Sequence, residues 1–184
     1  MKGLPIETKR LIIRNPKADD FPDWHRLMSD SQSMYYLQDI MTHSEQESRE
    51  NLELAMREAA ALDRKMYFLT IEERCSGAYV GQTGYTVIDT TPAGKHVHVG
   101  YFILPEFRGQ GYMTEACKAL LEFAFEHDSV YRIETGALVE NAASIRVMEK
   151  CGMVHEGVLK DYAWHDGKYK DRSLYRLLKA EWTR

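Results

Sequence analysis

Three consecutive runs of β-branched and aromatic residues between positions 66 and 104 constrain the fold of this chain most. They read MYFLTIE, AYVGQTGYTVI and HVHVGYFIL, and the segments CSG and TTPAGK between them have the composition of turns. Neighbouring strands joined by short turns pair antiparallel. The sequence therefore predicts an antiparallel β-meander in the middle of the chain.

Before the meander, the sequence predicts a short strand at residues 11–13 and two helices. Asp19 or Asp20 can cap the first helix, whose apolar residues recur at helical spacing. Those apolar residues are Phe21, Trp24, Leu27 and Met28. Ser44 and Glu47 form a capping-box pattern at the start of the second helix, which we expect to end near Arg64. Its apolar stripe consists of Leu52, Ala55, Met56, Ala59 and Leu62.

After the meander, the pattern predicts a helix, a strand, a second helix and two closing strands. The helices cover about 113–127 and 142–151, with the strand RIETGALV between them, and the closing strands cover about 154–164 and 169–178. The Asp166-Gly167 pair between the closing strands is typical of a hairpin turn. This order predicts an α+β sandwich with a mixed, mostly antiparallel sheet flanked by helices.

Length and composition restrict the number of domains and the partners. The chain has 184 residues, of which 44 % are hydrophobic, so we expect a single domain spanning residues 1–184. Its 24 Lys and Arg and 28 Asp and Glu residues are scattered, which does not favour nucleic acid as a partner. No stretch approaches the roughly 18 apolar residues of a membrane span, so we expect a soluble cytoplasmic protein without a membrane partner.

The cysteines give no sign of a metal site or a disulfide framework. Cys75, Cys117 and Cys151 are odd in number, far apart and in no CxxC pair. Cys117 and Cys151 lie in helical apolar patterns and are expected in the core. We therefore expect no bound metal.

The segment after the third β-run carries the most information about function. A strand runs through Pro105 into Arg108-Gly109-Gln110-Gly111 and then into an amphipathic helix. Unpaired N–H groups and the helix dipole make such a junction an anion site that would fit a pyrophosphate. Gly109 and Gly111 can adopt positive φ, and Arg108 can add a charged donor. Taken alone, the four residues are equally compatible with a tight turn, and they match neither the Walker loop nor the dinucleotide fingerprint.

These residues resemble the cofactor motif of the GNAT superfamily of acetyltransferases, Arg/Gln-x-x-Gly-x-Gly/Ala. Arg108 and Gly111 match the motif, whereas Met113 stands at its last position. A second block resembles the superfamily's next strand and helix, with the pattern Asn-x-x-Ser-x-x-x-x-Glu-Lys-x-Gly. Asn141, Ser144, Glu149, Lys150 and Gly152 fill it. The opening ETKRLIIR and the tail DGKYKDRSLYRLLKAEW resemble the branch that acetylates ribosomal-protein N-termini, so the resemblance covers nearly the whole chain.

The resemblance implies the acyl-CoA N-acyltransferase fold, with acetyl-CoA as cosubstrate in a V-shaped gap between two splayed parallel strands. Here those strands would be VHVGYFIL and RIETGALV. The pantetheine arm would pair with the backbone of Phe102, Ile103 and Leu104 and hydrogen-bond Asn141, with Ser144 nearby. The pyrophosphate would bind the amides of Arg108, Gly109, Gln110, Gly111, Tyr112 and Met113. The acceptor would be a primary amine, on a protein N-terminus or a small molecule, attacking directly in a ternary complex. A homodimer is compatible with this branch.

Two side chains are candidates for catalysis. His98 stands where many relatives carry Glu, and an imidazole with an ordinary pKa near 6.5 suits a general base. Alternation places His98 on one face of its strand with Gly100 and Phe102, and a strand histidine without a role is the alternative. Ser144 could donate a proton to the departing thiolate or satisfy the backbone at a helix start, and the two roles are compatible. The resemblance assigns the oxyanion donor to the backbone N–H of Phe102 or a neighbour.

Other polar and aromatic residues have weaker assignments. Glu134 is a further candidate base, although a pair with a neighbouring Lys or Arg explains a strand carboxylate more simply. Five aromatic residues could line the acceptor side, and core packing or a dimer surface explains them equally well. They are Tyr35, Tyr36, Tyr162, Trp164 and Tyr169.

Two further hypotheses stay open at this point. Because His98 replaces Glu and Met113 replaces a small residue, the chain could be a non-catalytic acyl-CoA sensor or interaction module on the same fold. A nucleotide-binding enzyme is the third hypothesis, which the missing phosphate-loop patterns do not favour.

Overall fold

Eight strands form one sheet in the computed structural model, which describes residues 3–182. In the sheet they lie in the order β1-β2-β3-β4-β5-β6-β8-β7, and every neighbouring pair is antiparallel except β5 and β6, which are parallel. Their bounds are β1 (Ile6–Glu7), β2 (Leu11–Arg14), β3 (Met66–Glu73), β4 (Tyr79–Thr91), β5 (Gly94–Ile103), β6 (Val130–Leu138), β7 (Val154–His165) and β8 (Lys168–Leu178). The predicted meander, the predicted order of helices and strands after it, and the closing hairpin are confirmed.

Four α-helices cover the two faces of this sheet within the described residues. They are α1 (Phe21–Ser29), α2 (Glu45–Ala60), α3 (Tyr112–His127) and α4 (Ala142–Lys150). Trp24 of α1 and Leu52 of α2 pack with Phe102 of β5 on one face. Leu120 of α3 and Met148 of α4 belong to the main core on the other face. The predicted α+β sandwich is confirmed, and none of the helices in residues 3–182 has the length and apolar character needed to cross a bilayer.

The start of α1 differs from the capping prediction. Asp20 stands at the N-cap position, but its side chain does not cap the helix. Instead its two oxygens accept hydrogen bonds of 2.8 Å from Arg14, and one also accepts from the Thr70 hydroxyl at 2.9 Å. Burial acts to raise the pKa of Asp20, but these hydrogen bonds outweigh it, so the pKa is lowered. Asp20 therefore ties α1 to β2 and β3 as an ion.

Helix α2 is shorter than predicted. Ser44 accepts from the N–H of Glu47 at 3.1 Å, as expected, whereas the Glu47 carboxylate accepts from His43 rather than Ser44. The helix ends at Ala60 because Ala61 is extended, with ψ 141°. The prediction that Leu62 belongs to the buried stripe is wrong, since Leu62 is fully exposed.

Helix α4 ends in a Schellman motif, which explains the final glycine of the second sequence block. Gly152 has φ +76°, its N–H donates to Glu149 at 3.0 Å, and Met153 donates to Met148 at 3.1 Å. Only glycine adopts this backbone conformation without a steric penalty. The block therefore fixes where α4 stops.

The parallel strands β5 and β6 separate soon after they pair. Their register runs from Lys95 with Val130 to His98 with Glu134 and goes no further. At the point of divergence the Thr135 hydroxyl donates to the Val99 carbonyl at 2.8 Å, in a buried setting. Beyond this hydrogen bond the two strands enclose a V-shaped gap, as the resemblance implied.

Thr135→Val tests this contact at the apex of the gap. We expect the substitution to lower the free energy of unfolding by about 1–3 kcal/mol, because the buried Val99 carbonyl loses its donor. Urea denaturation measures this loss. Thr86→Val, at an exposed position of β4, is the matched control and should stay within about 0.5 kcal/mol of the parent. Equal effects of the two substitutions would contradict the role assigned to Thr135.

Candidate active site

The glycine turn presents backbone donors at the start of α3. Gly109 and Gly111 have φ of +75° and +80°, as predicted. A Cβ atom at Gly109 would meet no atom within 4 Å, and one at Gly111 would meet only Arg10 at 3.6 Å. The N–H of Glu115 donates to the Gly111 carbonyl at 3.1 Å in the first hydrogen bond of the α3 backbone. The N–H groups before Glu115 therefore have no partner within the helix. The Arg108 N–H donates to the Pro105 carbonyl at 3.2 Å, so the turn leaves open the N–H groups from Gly109 onward and the space in front of them.

Arg10 holds this turn in place, a role that sequence reasoning missed. Its Nη1 donates to the Gln110 carbonyl at 3.0 Å, and its Nε donates to Glu115 at 2.7 Å. The guanidinium also lies 4.2 Å from the centre of the Tyr112 ring. Arg10 lies just before β2 and is far from the glycine turn in the sequence, so no local pattern could have pointed to it.

The other residues of the motif point in different directions. The Arg108 guanidinium donates to the Gln32 carbonyl at 3.2 Å and lies 3.4 Å from the Ser33 hydroxyl, in the loop after α1. The side chains of Tyr112 and Met113 are buried in the core. The bulk of Met113 therefore does not occupy the space in front of the turn.

The pleat of β5 determines which backbone groups face the gap. The N–H of Leu104 donates to Val80 of β4 at 3.1 Å, so it is already paired within the sheet. The carbonyl of Phe102 also points toward β4, where it lies 2.2 Å from the position of a Cβ on Gly81. Alternation then turns the backbone groups of Tyr101 and Ile103 toward the gap. Of the three residues expected along the pantetheine arm, Ile103 has this orientation.

Tyr101 and Ser144 meet on the α3 and α4 side of the gap. The Tyr101 hydroxyl lies 2.8 Å from the Ser144 hydroxyl, and burial raises the pKa of Tyr101. The helix-capping role considered for Ser144 belongs to Asn141, whose Oδ1 accepts from the Ser144 N–H at 3.1 Å. Sequence reasoning did not identify Tyr101, because the two hydroxyls are brought together only by the packing of α4 on β5.

His98 lies on the opposite face of β5, beside Glu134. Its Nδ1 is 4.0 Å from Glu134, whose closest partner is His96 at 2.8 Å, while Arg132 lies 3.8 Å away. The simpler interpretation of Glu134, a pair with a Lys or Arg, is therefore incomplete, since a histidine is nearest. Burial lowers the pKa of His98, the positive charge of Arg172 lowers it further, and Glu134 partly opposes them.

A cavity of about 310 Å³ opens on this face of the sheet. His98, Glu134, Glu156, Tyr162 and Arg172 contribute its polar lining. Thr135 lines it too, so the cavity reaches the apex of the gap between β5 and β6. The cavity and the glycine turn thus lie along the same splayed pair of strands.

The five aromatic residues expected on the acceptor side separate into three groups. Tyr35 and Tyr36 pack on His165, with ring centres 4.8 and 5.8 Å apart, and so attach the loop after α1 to the closing hairpin. Tyr162 lines the cavity. The remaining two are exposed at the end of the hairpin in an edge-to-face pair, and they are Trp164 and Tyr169.

The thiols and potential metal ligands were also located. Cys117 and Cys151 are buried, as predicted, and burial raises the pKa of the Cys117 thiol. Between residues 3 and 182, no three His, Cys, Asp or Glu side chains are grouped so that they could hold a metal ion.

The comparisons with known proteins fit this geometry. The family model for the acetyltransferase (GNAT) domain matches residues 10–154. The chain belongs to the GNAT acetyltransferase family. The predictions of this family, of its fold and of an acetyltransferase are thereby confirmed.

Three similar proteins illustrate the family. An N-acetyltransferase of Bacillus subtilis, named uncharacterized N-acetyltransferase YnaD, is 28 % identical over 180 residues, covering 97 % of this chain and 99 % of that protein. The [ribosomal protein uS5]-alanine N-acetyltransferase of Escherichia coli is 30 % identical over 86 residues, or 47 % of this chain and 44 % of that one. The structure of spermidine N-acetyltransferase from Vibrio cholerae with CoA and spermine has a TM-score of 0.82 at 21 % identity, covering 95 % of this chain and 98 % of that one.

A titration followed by NMR tests the electrostatics of the cavity. The His98 ring should titrate with a pKa below 6.5, because burial and the charge of Arg172 disfavour the imidazolium. Arg172→Gln should raise this pKa and Glu134→Gln should lower it. Arg57→Gln, at an exposed position of α2, should leave it unchanged. A His98 pKa insensitive to Arg172 would show that the two side chains do not share this cavity.

Proposed function

We propose that this chain transfers the acetyl group of acetyl-CoA to a primary amine, on a protein N-terminus or a small molecule, by direct attack in a ternary complex. The observation that carries the proposal is the gap between β5 and β6. One end approaches the glycine turn, and its apex reaches a cavity lined by His98. A long ligand with an anionic end and a reactive end fits a site of this form.

The cosubstrate is held mainly by backbone groups in this proposal. The amides from Gly109 to Met113 bind the pyrophosphate, since they stand before the first turn of α3 and the space at both glycines is open. The Arg108 N–H, which was expected to join them, already donates to the Pro105 carbonyl at 3.2 Å. The arm pairs with the gap-facing backbone of Ile103 and Tyr101 as an added strand does. Asn141 uses its Oδ1 for the helix cap, which leaves its NH₂ group for the arm.

His98 acts as the general base. When bound, acetyl-CoA supplies a thioester whose carbonyl carbon is attacked by the neutral amine, with loss of CoA as the thiolate. A lowered pKa keeps the His98 imidazole neutral near pH 7, so it can accept the proton that the amine loses. Glu134, 4.0 Å away, then stabilises the imidazolium. A gap-facing N–H next to Phe102, on Tyr101 or Ile103, donates to the oxygen on which negative charge develops.

Ser144 donates a hydrogen bond to the departing thiolate, which takes its proton from solvent, and Tyr101 is the partner of Ser144. If the Tyr101 O–H donates to the Ser144 oxygen across 2.8 Å, the Ser144 proton is free to point into the gap. The raised pKa of Tyr101 keeps its own proton in place. The base and the donor to the thiolate therefore act from opposite faces of β5.

The identity of the relatives supports an amine acceptor. The Escherichia coli relative is named for the alanine of a ribosomal protein, and the Vibrio cholerae protein for spermidine. The two departures that motivated a non-catalytic sensor lose weight, because His98 lines the cavity and Met113 is buried away from the turn.

Gly111→Asp tests the pyrophosphate position. We expect it to weaken CoA binding by at least about 100-fold, because a carboxylate about 4 Å from a phosphate costs a few kcal/mol at a protein surface. Gly111→Asn is the matched control, since Asn has the same shape and also tolerates positive φ, and it should bind far better than Asp. Calorimetry measures both affinities, and thermal unfolding checks the fold. Equal affinities for the two variants would refute this position of the pyrophosphate.

The proposed reaction is tested by incubating the chain with acetyl-CoA and a panel of amines and peptides and measuring CoA release. Release should require both the chain and an acceptor, and kcat/KM should rise with pH through the pKa of His98, because the base must be neutral. His98→Gln should lower kcat/KM by about 100-fold or more and remove that pH step. Tight binding of CoA without release on any acceptor would instead support the sensor hypothesis.

A further inference from the structure

Arg172 is an unpaired cation in the cavity beside His98. Its Nη2 donates to the Gly136 carbonyl at 3.2 Å, and its guanidinium lies 5.7 Å from the centre of the Tyr162 ring. No Asp or Glu oxygen in the described part of the chain lies within 4.0 Å of it. A half-buried guanidinium without an anionic partner is unusual, since buried charges are normally paired.

The two carboxylates that line the cavity have partners other than Arg172. Glu156 lies between Arg132 at 2.6 Å and Arg176 at 3.2 Å. Glu134 lies 2.8 Å from His96 and 3.8 Å from Arg132. Neither carboxylate approaches Arg172 within salt-bridge distance, so the guanidinium that lines the cavity has no carboxylate partner there.

We propose that Arg172 binds a carboxylate of the acceptor, so that the acceptor belongs to the class of amino acids, with a free carboxylate close to its amine. This inference rests on the proposed function and names the substrate class of the same site. The guanidinium fork matches the two oxygens of a carboxylate, and the Tyr162 ring holds the fork in the cavity.

The position of Arg172 sets the distance between the two ends of the acceptor. Arg172 and His98 line the same small cavity. An acceptor whose carboxylate binds Arg172 and whose amine lies at His98 must therefore have few bonds between these two groups. A polyamine would instead bring a second cation against an unpaired guanidinium in a partly desolvated space. A peptide N-terminus would offer Arg172 only a neutral carbonyl, which gives a weaker hydrogen bond than a carboxylate.

Matched acceptors test the proposal. CoA release is measured with free amino acids, with the amide of each and with its decarboxylated amine, for example phenylalanine, phenylalaninamide and phenethylamine. Rates are compared per concentration of neutral amine, because the three amines have different basicities. The parent chain should prefer the acid by about 10- to 100-fold in kcat/KM, the range expected for one hydrogen-bonded ion pair.

Variants then assign the preference to Arg172. Arg172→Gln should raise KM for the acids by about 10- to 100-fold, leave KM for the decarboxylated amines unchanged and so abolish the preference. Arg172→Lys should restore part of it, since the charge returns without the fork. Arg57→Gln, on the exposed surface of α2, should behave as the parent. Because the parent's preference is measured first, the test does not depend on the folding of any variant.

The outcomes separate the inference from the proposed function. Equal or better turnover of amides or decarboxylated amines by the parent overturns the role of Arg172 and leaves acetyl transfer standing. If neither these compounds nor the peptides of the wider panel are acetylated, the proposed function fails, and calorimetry on the CoA complex decides the inference. Tighter binding of an N-acetyl amino acid than of its amide supports the carboxylate site, and equal binding overturns it.

Discussion

The separation of two parallel strands after a short pairing determines the rest of the site. Where the strands separate, backbone N–H and C=O groups lose their partners in the sheet and need others. At the apex the Thr135 hydroxyl is the donor to the Val99 carbonyl. Further along, no strand replaces β6, and the backbone of Tyr101 and Ile103 faces the gap. An extended ligand with amide groups can take the place of the missing strand. The gap is therefore a sheet defect maintained by the antiparallel strands on either side of it.

The alternation of β5 distributes the chemistry between two faces. His98 points toward the cavity on the side of α1, and Tyr101 points toward Ser144 on the side of α4. In the proposed reaction, the amine loses its proton on one face while the thiolate is stabilised on the opposite face. The two roles use different side chains, and neither side chain has to change its role during a turnover. This division requires only one strand, because side chains at successive positions of a strand point to opposite faces of the sheet.

Local patterns in the sequence predicted most of the fold. The meander, the glycine turn and the Asp166-Gly167 hairpin each depend on residues close together in the chain. Leu62 was misassigned because helical periodicity does not show where the backbone leaves the helix. Arg10 on Gln110, Tyr101 on Ser144 and His96 on Glu134 join residues from distant segments. No local spacing encodes such contacts, so they were found only in the folded chain.

The proposed acceptor site and the proposed cosubstrate site are built on different elements. The glycine turn belongs to α3, whereas Arg172 lies on β8, which pairs with β6 and β7 and has no part in the turn. Arg172 can cross over β6 because residue 136 is glycine, where a Cβ would come within 2.9 Å of the Arg172 Nε. A Cβ at position 136 would also lie 2.7 Å from the Ser173 carbonyl oxygen, so a side chain there would displace both the guanidinium and the backbone of β8. In the proposed carboxylate site, the acceptor class therefore depends on positions 136 and 172, which have no part in the glycine turn.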